Sequence, residues 1–84
     1  MKLEKFKDKE DLINEDLYTE SFGEYFTFKE IDFDEKEVYF MEEIRDYDKG
    51  WLDFEDRTFT FKELEEYNEG QLMKILIDKI EGLN

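Results

Sequence analysis

The chain has 84 residues, of which 39% are apolar and 18% aromatic, and a net charge of −14; histidine, cysteine and proline are all absent. That length has room for one small core and no second one, so residues 1–84 are read as a single acidic domain. The missing residue types exclude disulfides, thiolate chemistry and thiolate zinc sites, and they remove the commonest general base and metal ligand together.

The charge is unevenly placed. Residues 1–9 carry four lysines against Glu4 and Asp8, residues 70–84 are balanced, and residues 10–69 hold 22 acidic against 6 basic side chains. Acidic chains with few aromatics stay disordered, but nine phenylalanines supply the apolar area that folding requires. A net charge of about 2 to 8 already keeps a small domain soluble, so −14 exceeds that need and sets charge against compactness.

The opening MKLEKFKDKE has lysines but no apolar stretch behind them, and the longest unbroken apolar run is the four residues 38–41. Neither a secretory signal nor a membrane span is read there, and the lack of cysteine suits a reducing cytoplasm. Residues 8–18 place Leu12, Ile13 and Leu17 on one side of a short helix, with Asp8 as its expected N-cap. Ser21-Phe22-Gly23 breaks that period.

From Glu24 to Ile44 the pattern alternates. Phe26 and Phe28 share one phase and Ile31 and Phe33 the other, which calls for a bulge near Lys29 and Glu30. A turn over Asp34–Glu37 would set Phe33 against Val38 and Ile31 against Phe40 on the core face, with Asp32, Asp34, Glu37 and Tyr39 on the other. After the Asp48-Lys49-Gly50 turn signal, residues 51–61 are read as a second hairpin, with Glu55-Asp56 at its tip and Leu52 paired with Phe59. Thr60-Phe61-Lys62-Glu63 has the form of a capping box and opens a helix through Tyr67, which Asn68-Glu69-Gly70 interrupts. Leu72, Ile75, Leu76 and Ile80, widened by Met73 and Ile77, form the apolar stripe of a last helix over 71–81. The fold class expected is α+β: a small antiparallel sheet of 3–4 strands over about 24–61, an N-terminal helix and one or two C-terminal helices.

One hexapeptide is nearly duplicated, FTFKEI at 26–31 and FTFKEL at 59–64. A single echo does not make a repeat architecture, yet the same words are read as strand in the first place and as a strand leading into a helix in the second.

Catalytic chemistry is sparse. The lone serine, Ser21, has no histidine to activate it, and no glycine-rich phosphate loop occurs. Pairs of carboxylates are expected by chance among 26 acids and do not by themselves define a cleft. Two acidic stretches fail as calcium loops: the one from Asp32 has Lys36 at a ligand position and Glu37 where glycine is required, and the one from Asp46 ends on Arg57. The chain is therefore read as no enzyme, with no cofactor and no metal.

In size, charge and lack of catalytic residues, residues 10–69 resemble the small acidic inhibitors of phages and mobile elements that mimic DNA, such as anti-restriction and anti-CRISPR proteins and uracil-DNA glycosylase inhibitors. The resemblance is one of composition and carries no family residue across. It implies a noncatalytic partner of a basic, nucleic-acid-binding protein, with no direct binding to nucleic acid or membrane, both of which repel such a surface. Asp32, Asp34, Glu35 and Glu37 form one expected acidic patch and Glu42, Glu43, Asp46 and Asp48 another, with Tyr39, Tyr47 and Trp51 as aromatic anchors. The same aromatics read otherwise as half-buried core rings with wet hydroxyls. An alternative function is an interaction module or small homo-oligomer using the apolar stripe of residues 72–80; monomer and dimer both fit the sequence.

Overall fold

Four antiparallel strands in the simple order β1-β2-β3-β4 make the sheet: β1 (Ser21–Phe22), β2 (Phe26–Asp32), β3 (Glu37–Asp46) and β4 (Trp51–Thr60). The computed structural model describes residues 3–83. A 3-10 turn over Glu4–Lys9 and helix α1 (Glu10–Asp16) precede the sheet; α2 (Phe61–Glu66) and α3 (Gln71–Glu81) follow it. The fold is α+β, as the periodicities predict.

Every hairpin connection is short, so each strand pairs with its sequence neighbour. One sheet face carries Phe26, Phe28, Ile31, Val38, Phe40 and Phe59, all buried in a single cluster with Ile13, Phe61, Leu64, Leu76 and Ile80 from the helices and Leu17 just after α1. Full burial of one such side chain stabilises by roughly 1.5–3 kcal/mol. Phe22, Phe28 and Phe40 meet with ring centroids 5.2–5.9 Å apart, two of the three pairs edge to face, the arrangement the ring quadrupoles favour.

The predicted bulge is present. The β2–β3 register shifts between Phe28 and Glu30, which lets Phe26, Phe28 and Ile31 all face the core. The turn is one residue earlier than the sequence suggests: Ile31 faces Val38 and Asp32 faces Glu37, leaving Phe33 in the turn. Phe33 is still buried there, packed edge to face on Phe61 at 5.5 Å. Helix α1 begins at Glu10 after Lys9 and has no side-chain cap, so Asp8 is not the cap expected of it; the preceding 3-10 turn already supplies the entry.

The larger correction concerns residues 51–61. They form no hairpin of their own: β4 runs unbroken from Trp51 to Thr60 and pairs along its whole length with β3, from Asp46–Trp51 to Glu37–Thr60. Glu55 and Asp56 are poor turn residues, whereas Gly50 takes a positive φ of 67° at the turn that does form. Because β2 ends its pairing at Glu42, β3 and β4 continue beyond the core as a two-stranded arm. The molecule accordingly measures 44 × 24 × 21 Å.

Thr60 ends the sheet and caps α2: its hydroxyl accepts from the Glu63 N–H at 3.0 Å while the Glu63 carboxylate accepts from the Thr60 N–H at 2.9 Å. Asn68, Glu69 and Gly70, with φ of 48°, 58° and 82°, reverse the chain between α2 and α3. The apolar stripe of α3 faces the core, with Leu72, Met73, Leu76 and Ile80 buried and Ile75 and Ile77 half-buried against it. No helix of the described residues is long and apolar enough to cross a membrane.

Candidate functional site

Residues of the sheet alternate between its two faces, so the register assigns each acid to one of them. The face turned away from the helices carries Glu30 and Asp32 on β2, Glu37, Tyr39, Met41, Glu43 and Arg45 on β3, and Leu52, Phe54, Asp56 and Thr58 on β4. Tyr39 stands opposite Glu30 on one side and Thr58 on the other, and its hydroxyl donates to Glu37 at 3.1 Å. The bond to Glu37, partial burial and the charges of Glu37, Asp32 and Glu30 raise the Tyr39 pKa, so this phenol stays protonated and serves as a donor among carboxylates.

The first predicted patch is brought together. Asp32 and Glu37 are directly opposed across the strands, and Asp34 and Glu35 are exposed in the connecting turn. Asp32 also holds that turn closed, because its carboxylate accepts from the Asp34 and Glu35 N–H groups, each at 3.0 Å.

The second predicted patch is divided. Glu42 and Glu43 are successive strand residues and point to opposite faces. Each is also met by a cation, Glu42 by Arg57 at 2.6 Å and Glu43 by Arg45. Asp46 accepts from the Lys49 N–H at 3.0 Å and fixes the arm's turn, in which Asp48 is exposed. The three anchors are not neighbours either. Tyr39 lies on the part of the sheet that covers the core, while Tyr47 (80% exposed) and Trp51 (44%) stand at the arm tip, about 24 Å further along by strand rise. There, Arg45, Asp46, Tyr47, Gly50, Trp51 and Leu52 surround an open hollow of about 300 Å³.

The base of the arm is tied down by Tyr25, whose carbonyl accepts from the Glu43 N–H at 2.7 Å and whose ring lies 5.1 Å from the Arg45 guanidinium. The Glu24 charge raises the Tyr25 pKa, and the Tyr47 hydroxyl and Glu43 raise that of Arg45, which stays charged throughout the working range.

Leu52, Asp53, Phe54, Glu55 and Asp56 are exposed on the arm, where the expected hairpin does not form. The sequence signal for this placement is the turn chemistry: Asp48-Lys49-Gly50 is a strong turn signal, whereas Glu55-Asp56 is a poor pair for a tight hairpin. Among the described residues no three Asp or Glu side chains converge as a metal site requires. Compared with known protein families, curated proteins and solved structures, the chain matches none. The fold therefore defines the class, a small acidic α+β protein with a projecting two-stranded arm.

Proposed function

We propose that this protein is a noncatalytic inhibitor that mimics the charge of nucleic acid and occupies the basic nucleic-acid-binding site of a partner protein. The observation that carries the reading is the charge along the long axis. Residues 3–83 leave out Lys2 and so carry a net −15, which over 44 Å is one charge per about 2.9 Å. A nucleic-acid strand presents one per about 3.4 Å and a duplex one per about 1.7 Å. Nine of the 26 carboxylates stand on paired strands, against three strand cations, so a net −6 of this charge is held on a stiff support. Asp32, Asp34, Glu35 and Glu37 around Tyr39 give a contiguous contact patch on the sheet, and Tyr47 and Trp51 give a second contact at the arm tip.

Affinity capture from lysate, eluted by a salt gradient and in parallel by duplex DNA, tests this reading. Nucleic-acid-binding proteins that leave with either eluant are the expected result. A complex that ignores both about 0.5 M salt and excess DNA would defeat it.

Self-association is the second reading, and the exposure of Leu52 and Phe54 at 53% and 55% favours it. Its surface would be the arm, because the stripe of residues 72–80 is already used by the core. A stable dimer in native mass spectrometry at high ionic strength would decide for it.

A further inference from the structure

The two edges of the sheet are treated differently. Along β2, where β1 is only two residues long, other elements supply the missing partners. Asn14 of α1 both donates to the Ile31 carbonyl at 3.0 Å and accepts from its N–H at 2.7 Å, the Glu10 carboxylate takes the Phe33 N–H at 2.8 Å, and Thr19 and Glu20 serve Phe28. This edge is closed. The β4 edge runs for ten residues and, among the described residues, has no strand beyond it.

Which main-chain groups lie bare follows from the ladder. Glu43 donates its N–H to Tyr25, on the side away from β4, so its cross-strand partner Phe54 turns its own N–H and C=O outward. Alternation puts Leu52, Asp56 and Thr58 in the same state, and among the described residues no other element bonds to their main chain. The Phe54 N–H is held by its neighbour, the Asp53 carboxylate, at 2.8 Å.

Beside this edge the two faces differ in chemistry. Leu52 and Phe54 are exposed on the outer face; Asp53 and Glu55 are exposed on the inner face, opposite Ile44 and Glu42, without a cation among the described residues. We propose that β4 accepts, by antiparallel strand addition, an extended partner segment that alternates apolar residues with lysine or arginine. Its apolar side chains would lie beside Leu52 and Phe54 and its cations beside Asp53 and Glu55, while its main chain completes the ladder. A second copy of this chain is the poorer occupant, since it brings its own net −14 and its own Asp53, Glu55 and Asp56 to the same edge.

Strand addition rests on the proposed function only for its cationic partner, and the experiment separates the two. A short synthetic peptide of alternating lysine and valine is compared with two relatives of the same charge, one N-methylated at every valine and one at every lysine. In the proposed pairing the valine amides face β4 and the lysine amides face solvent. The parent and the lysine-methylated peptide should therefore bind alike, with slowed exchange of the Leu52, Asp56 and Thr58 amides. The valine-methylated peptide should bind about tenfold more weakly or worse, as several ladder hydrogen bonds are lost. Equal binding by all three would overturn strand addition and leave the charge reading standing. Failure of all three to bind overturns it as well, and salt and DNA elution then judge the charge reading independently. Protection of those amides in the peptide-free protein, with a dimer in native mass spectrometry, would assign the edge to a second copy instead.

Discussion

Thr60 shows how one side chain ends a strand and starts a helix. Its hydroxyl accepts from the Glu63 N–H, and replacing it by alanine (T60A) should cost about 1 kcal/mol in urea unfolding. The reciprocal bond is titratable. The Thr60 N–H and hydroxyl hold the Glu63 carboxyl below its ordinary pKa, so its contribution is present above the ordinary glutamate range and fades as pH falls through the lowered value. Glu63→Ala should thus lower Tm at neutral pH and make progressively less difference in acid; a difference independent of pH would contradict this. Glu69 is held in the left-handed region at φ 58° between Asn68, which tolerates it, and Gly70. Relief of that strain should outweigh the added freedom of the unfolded chain, so Glu69→Gly should stabilise by roughly 0.5–1 kcal/mol in the same assay.

At the scale of elements, β3 and β4 each have two parts with different energetics. Over the core they carry Val38, Phe40 and Phe59, whereas beyond Glu42 they form a ribbon without β2 beside it. Phe40→Ala should cost about 3–5 kcal/mol, because a ring packed against Phe22, Phe26, Phe28 and Phe59 leaves a cavity. Leu52→Thr and Phe54→Thr should each stay within about 0.5 kcal/mol of the parent in chemical denaturation, since both are exposed surface residues outside the core cluster. Large losses from the arm variants would mean that the arm packs against something. Preserved stability together with weakened peptide binding is the pattern that separates a recognition element from a structural one.

Taken as a whole, the molecule folds against its own charge. With a net −14 and three ion pairs among the described residues, most carboxylates face water without a partner, and repulsion among them disfavours the compact state. Raising ionic strength from about 0.02 to 0.5 M should therefore raise Tm, as the screening length falls from roughly 20 Å to below 5 Å. A Tm that falls with sodium chloride would show that the few ion pairs outweigh the repulsion. Salt is then expected to strengthen the fold while it weakens the complex, and those opposite signs within one protein make a stringent check on the charge reading.

The sequence by itself determined the helical stripe of α3, the capping box at Thr60, the break at Asn68–Gly70 and the bulge at Lys29, because each rests on interactions within a few residues of the chain. It also determined that Asp32, Glu37 and Tyr39 share the face turned away from the core, since alternation of side chains is a property of any strand. The destination of residues 51–60 was decided only in three dimensions: β3 offers a ten-residue partner, and pairing with it satisfies more main-chain groups than a hairpin with Glu55-Asp56 at its tip. The twin hexapeptides behave in the same way. Thr27 sits between Ser21 and Met41 in a ladder that continues past it, so FTFKEI stays extended; Thr60 pairs with Glu37 at the start of β3, where the ladder stops, and FTFKEL is free to turn into α2. Local signals set what each segment is able to do, and the presence or absence of a neighbouring strand selected among those options, because a main-chain group left without a partner costs more than the propensities that distinguish them.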